Sequence, residues 1–186
     1  MFYRFEENQE LSLETPKLEH SELILDACIF KVVRNTYQGN MKRIFIQHPG
    51  AVSIVATTTS SKMLLIKQFR APVGEWLWEI PAGTLEKNES PLLCAQRELE
   101  EETGYVSQDW EYLFQVVLAP GYSSEVIHFF RARNAKPVSE PRQGDTDELI
   151  YCWEVDTKQA RQMLQSGEIK DAKTMVAIWH WLGEKQ

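Results

Sequence analysis

Cysteine is scarce in this 186-residue chain. Cys28, Cys94 and Cys152 are odd in number and widely separated. They form neither a disulfide framework nor a zinc-ligand spacing, and read as reduced core thiols of a cytoplasmic protein. Long apolar runs are missing too. Ala51 to Ala56 and Met63 to Ile66 fall far short of the ~20 residues of a membrane span, and Met1 to Glu7 has no apolar segment like that of a secretory signal. Positive charge is in deficit, with 20 Lys and Arg against 27 Asp and Glu, a net charge of −7. That balance excludes the basic footprint of a nucleic-acid binder and disfavours anionic membrane surfaces. Repeats and low-complexity tracts are also absent. What remains is globular: 43% hydrophobic and 25% charged residues, enough to bury a core.

Residues 1 to 18 are polar and carry no structural signal. Glu22 to Val33 is β-like, Tyr37-Gln38-Gly39-Asn40 supplies turn residues and Met41 to Gln47 alternates, which predicts a hairpin. His48-Pro49-Gly50 interrupts pairing and divides a small N-terminal β element, residues 1–48, from a larger domain, residues 49–186. That domain opens with predicted strands at 51–57, 62–70 and 76–80. Ser90 suits a helix N-cap, Pro91 its first position and Gly104 its stop. Strands follow at 112–118, 125–133 and 148–155, then helices at 157–165 and 171–182. The expected class is α/β (α+β), a mixed sheet between helices preceded by a small antiparallel β element. Trp76, Trp78, Trp179 and Trp181 read as core or interface, and His20, His48, His128 and His180 as structural or exposed.

The chemistry concentrates on the helix that Ser90 starts. Glu98, Glu101 and Glu102 stand at i, i+3 and i+4, so the three carboxylates share one face. Like charges at those spacings cost about 0.2–0.5 kcal/mol per pair, and the C-terminal end of a helix disfavours anions. Full solvation is one resolution. A compensating cation is the other, and hard oxygen ligands describe a magnesium site. Glu89 and Arg97 lie eight apart and suit an ion pair that braces the loop against the helix.

Gly83, five residues, Glu89, seven residues, then Arg97-Glu98-Leu99-Glu100-Glu101-Glu102-Thr103-Gly104-Tyr105 resembles the signature of the Nudix hydrolases. Every fixed position matches except the last, usually aliphatic, where Tyr105 stands. Gln68-Phe69-Arg70, Glu79-Ile80-Pro81-Ala82-Gly83 and Pro120-Gly121 are similar to the ADP-ribose pyrophosphatase branch. Tyr122 falls where dinucleoside-polyphosphate hydrolases carry a tyrosine, but Pro120, Gly121 and Arg70 favour ADP-ribose.

The resemblance implies the Nudix α/β/α sandwich and hydrolysis of ADP-ribose, or a related nucleotide-sugar, to AMP and a sugar phosphate. GDP-mannose is the alternative substrate, and a non-catalytic ADP-ribose sensor the alternative of another class. The implied cofactor is Mg2+, with Mn2+ as the alternative, held by Glu98, Glu102, Glu148 and the Ala82 carbonyl. Glu101 is a further ligand or aligns the others. Glu148, from the acidic loop 142–148, is the implied base or metal ligand, with Asp147 and Asp145 as substitutes. Arg70, Thr84 and Glu125 are the implied substrate residues, and Phe30, Tyr37 or Phe45 could stack the base. A homodimer through the N-terminal element is expected, with no nucleic-acid or membrane partner.

Overall fold

The computed structural model describes residues 14–144 and 149–184. Its first sheet has three antiparallel strands, β1 (Leu18–Asp26), β2 (Lys31–Tyr37) and β3 (Met41–Gln47), in that order. β2 and β3 form the expected hairpin, turning through Gly39 and Asn40, both at positive φ. The expected single run from Glu22 to Val33 is instead two strands. Asp26 accepts the Cys28 amide at 3.2 Å, an Asx turn, and Cys28 adopts φ 65°. This turn exposes Cys28, correcting its assignment to the core.

The second sheet begins with β4 (Ala51–Thr58), β5 (Met63–Arg70), β6 (Glu75–Glu79) and β7 (Ala82–Thr84). It continues through β8 (Tyr105–Val106), β9 (Asp109–Val117), β10 (Val126–Pro137) and β11 (Ile150–Val155). Its spine runs β11-β5-β4-β10-β8, with β6 on β5, β7 on β4 and β9 on β10. β4 and β10 pair in parallel while the other pairings are antiparallel, so the sheet is mixed. The apolar run Ala51 to Ala56 becomes a central strand buried on both faces.

Helix α1 (Pro91–Thr103) covers one face, and α2 (Thr157–Ser166) and α3 (Ala172–Gly183) the other. Val52, Ile54 and Ala56 pack with Cys94, Ala95 and Leu99 of α1. Val55, Met63 and Phe129 pack with Ala160, Ile178 and Trp181 on the opposite side. Burying a side chain such as Leu99 contributes about 2 kcal/mol. The expected α/β/α layering is therefore present.

α1 begins and ends where the capping residues placed it. The Ser90 hydroxyl accepts the Leu93 amide, and Gly104 closes the helix at φ 71°. β3 is tied to the second sheet through the loop before β10. Ile46 donates to the Tyr122 carbonyl at 2.8 Å, and Ser124 donates back to Ile46 at 2.9 Å. Trp181 is buried and Trp78 half-buried, whereas Trp76 and Trp179 are exposed and so are not core residues. Trp76 continues a row of rings from Phe69 to Tyr151 along the strand surface. No helix among the described residues is long and apolar enough to cross a membrane.

Candidate active site

β6 ends at Glu79, and Ile80-Pro81 leads into β7, a short strand without a local sequence signature. β7 pairs with β4 in the register Ala51↔Thr84 and Ser53↔Ala82. Tertiary pairing rather than propensity makes it a strand. It runs directly beneath α1. A Cβ on Gly83 would stand 1.9 Å from Cδ and Oε1 of Glu98, so only glycine lets that carboxylate lie over the strand. The Ala82 amide donates to Oε2 of Glu102 at 2.8 Å. Glu98 and Glu102, one turn apart, are thus both seated against Ala82–Gly83.

Arg97 balances this acidic face. Its Nε and Nη2 grip the two oxygens of Glu89 at 3.0 and 3.1 Å. Nη1 donates to Glu98 at 2.7 Å and to Glu101 at 2.9 Å. The Glu89 brace expected from the spacing is present, and the same guanidinium extends to two of the three clustered carboxylates. The Arg97 hydrogen bond, opposed by burial and aided by the Glu86 amide, lowers the Glu89 carboxyl to about 2. Arg97 is itself pushed up, first by its bond to Glu89.

Among the described residues, no three His, Cys, Asp or Glu side chains are already gathered around a metal-sized space. The donor chemistry nevertheless fits a hard divalent cation. Two carboxylates one helical turn apart face the strand that carries the Ala82 carbonyl, across a gap that Gly83 keeps clear. Glu98, Glu102 and the Ala82 carbonyl would hold the ion, with Glu101 beside them.

The opposite wall carries two cations, Arg70 and Lys173, each paired with a carboxylate. Glu79 is 1% exposed, and its two oxygens accept Nε and Nη2 of Arg70, each at 2.7 Å. Lys173 of α3 donates to Oε2 as well and lies 3.1 Å from Asp171. Burial opposes ionisation of Glu79. The Arg70 hydrogen bond and the charges of Lys173 and Arg70 outweigh it and hold the carboxyl below its ordinary range. Asp171 caps α3 by accepting the Thr174 amide at 2.9 Å, and the Thr174 hydroxyl accepts the Ile80 amide at 2.9 Å.

A cleft of about 1310 Å³ opens between these walls, lined by Arg70, Ala82, Thr84, Glu98, Glu102, Glu125 and Lys173. Phe30, on the β1–β2 turn, also faces it, unlike Tyr37 and Phe45. Glu101 lines an adjoining 290 Å³ recess with Arg97, Gln143 and Gly144. The loop expected to supply the base therefore starts beside the acidic helix face, while Glu148, Asp147 and Asp145 lie outside the described residues. Thr84 offers its carbonyl to Arg97 at 3.5 Å. Glu125 is 4.0 Å from Nδ1 of His48, which accepts the Gly50 amide at 3.1 Å and so is locked in the cleft wall. Lys173 escaped the sequence reading, and Glu79 entered it only as part of the Glu79-to-Gly83 run, with no role of its own. For Lys173 the signal was a lone lysine in an otherwise largely apolar helix, which calls for a partner when buried.

An α/β/α sandwich whose acidic helix follows a glycine-bearing strand defines a class, and sequence comparison supplies its name. Residues 47–180 match the NUDIX domain, and the chain belongs to the Nudix family. It is 42% identical over 137 residues to an ADP-ribose pyrophosphatase of Bacillus subtilis (strain 168), covering 74% of each chain. It is 34% identical over 145 residues to a GDP-mannose pyrophosphatase of Yersinia enterocolitica, covering 74% of this chain and 75% of that one. The crystal structure of an ADP compounds hydrolase shares the fold, with TM-score 0.75 at 22% identity, across 94% of this chain and 98% of that one.

Proposed function

We propose that this protein hydrolyses the pyrophosphate of ADP-ribose, or of a related nucleoside diphosphate sugar, to AMP and a sugar phosphate. The observation that carries the reading is the polarised cleft. Clustered carboxylates on α1 face the Arg70 wall across a space large enough for such a ligand. Glu98, Glu102 and the Ala82 carbonyl would hold Mg2+, or Mn2+, which when bound would supply neutralisation of phosphate oxygens and a more acidic water. Arg70 takes phosphate oxygens through its planar fork. The Thr84 backbone and Glu125 contact the substrate, and Phe30, the one of the three aromatics that faces the cleft, stacks the base. Glu148 accepts the proton as the water oxygen bonds phosphorus and the bridging P–O bond breaks, and Glu101 aligns the carboxylates around it.

Residues 1–48 form the dimerisation element in this reading. Leu18, Leu23, Ile24 and Leu25 of β1 are all exposed, and grouped exposed apolar side chains mark a surface that a partner covers. Sedimentation as a monomer at micromolar concentration removes that part. Three thiols without a disulfide suit a reducing, cytoplasmic compartment.

The test is steady-state hydrolysis of a nucleotide-sugar panel with magnesium, alongside Glu102→Gln. AMP release from ADP-ribose should fall roughly 100- to 1,000-fold in the variant, the several kcal/mol a catalytic metal contributes. Preference for GDP-mannose would replace the substrate and keep the chemistry. Binding without turnover of any member would make the protein a sensor.

A further inference from the structure

We propose that Lys173 and Glu79 are positioning residues for Arg70, holding its guanidinium at the cleft wall in the orientation that takes the anionic linkage of a nucleoside diphosphate. The inference rests on reading the cleft as a pyrophosphate site, and three observations carry it. Glu79 is buried, whereas the Arg70 side chain, 36% exposed, lines the cleft, so the pair presents its cationic end to a ligand. Oε1 of Glu79 is engaged by Arg70, and Oε2 by both Arg70 and Lys173. The carboxylate plane, and with it the guanidinium plane, cannot turn without breaking a charge-assisted bond. Lys173 is in turn anchored by Asp171, the residue that caps α3.

Arg70 alone occupies both oxygens of Glu79, so the added bond from Lys173 fixes the orientation of the carboxylate rather than supplying its first partner. The same turn of α3 fixes Ile80 through Thr174, so the support of Arg70 and the approach to Ala82 share one anchor.

A double-mutant cycle tests this, using wild type, Lys173→Met, Arg70→Ala and the double variant. ADP-ribose affinity is measured by calorimetry in EDTA, turnover with magnesium, and melting temperature for each. Lys173→Met should raise Kd and KM about tenfold, the size of a lost charge-assisted hydrogen bond, with a smaller change in kcat. In the Arg70→Ala background the same substitution should add less than about twofold, because residues acting through one contact are not additive. Lys173→Arg, which keeps the cation, should restore most of the affinity. Multiplying effects in the double variant, or a lowered melting temperature with unchanged Kd and KM, overturn the proposal. If Lys173→Met does not fold, Glu79→Gln enters the same cycle under the same criteria. Wild type that binds ADP-ribose without hydrolysing it overturns the hydrolase reading and leaves the cycle readable in Kd. Wild type that neither binds nor hydrolyses it overturns both.

Discussion

The two walls of the cleft solve opposite charge problems with the same kind of contact. On α1 a single guanidinium serves Glu89, Glu98 and Glu101, and Glu102 adds a fourth carboxylate to that wall. On the other side a single carboxylate, Glu79, serves Arg70 and Lys173. The α1 wall is left with surplus negative charge, whereas Arg70 and Lys173 are matched by Glu79 and Asp171. A cluster built only for stability would balance its charges, because a buried ion pair replaced by apolar residues of similar volume is often no less stable. An acidic surplus on one wall and a cleft-lining guanidinium on the other suit a ligand that brings both signs, a divalent cation and a pyrophosphate.

Removing the hub of the acidic wall should have the largest effect. Arg97→Met leaves Glu89, Glu98 and Glu101 facing one another, partly buried and without their shared cation. The expected cost is about 3–5 kcal/mol, the range for breaking a buried pair by deleting one partner, read from chemical denaturation. A loss below 1 kcal/mol would show that solvent, not Arg97, carries those charges, and the contrast between the walls would fail.

Gly83→Ala separates the geometry of that wall from its stability. The new methyl would overlap the end of the Glu98 side chain, a flexible group that can swing aside. Stability should therefore change by less than about 1 kcal/mol. Turnover should fall about 100-fold, the loss expected when a catalytic group is displaced by about an ångström. Full activity in this variant would remove Glu98 from the metal site.

Glu89 gives the same wall a pH signature. Its carboxyl lies lower in the folded chain than in the unfolded one, about 2 against 4.5. The stability it contributes is therefore complete above the unfolded value and is lost as pH falls from about 5 toward 2. Glu89→Gln should cost about 2 kcal/mol at neutral pH, the shift discounted for solvent near the loop. It should also flatten the acid limb of the stability curve. An unchanged limb would assign the acid sensitivity elsewhere.

Much of the acidic wall was legible because its determinants are local. Ser90, Pro91 and Gly104 fix the ends of one helix, and Glu98, Glu101 and Glu102, at i, i+3 and i+4, must share its face. The N-terminal strand break was not legible. Leu23 to Phe30 is apolar and β-like throughout, and only the Asx turn at Asp26 divides it. β7 was equally hidden, since three residues become a strand only because β4 lies beside them. The cationic wall was half legible. Arg70 stood out at a strand end, but its partners Glu79 and Lys173 lie 9 residues and about 100 residues further along the chain. A single sequence shows one glutamate of two in β6 and one lysine in α3, and cannot say which charge faces which.

The smallest expected effect sharpens the comparison by standing outside it. Lys170 pairs with Glu75 at the same junction of α3 and β6 as Lys173 and Glu79, but both side chains are at least half exposed. Water already solvates these charges, so the pair gains little and loses side-chain freedom. Lys170→Ala should therefore cost no more than about 0.5 kcal/mol, and that difference should vanish in molar salt. Lys170 is three residues from Lys173, so the variant also reports whether α3 tolerates a change at its start. Unaltered KM and kcat would attribute the Lys173 effect to the buried contact with Glu79. A parallel rise in KM would instead trace that effect to any disturbance of the helix terminus.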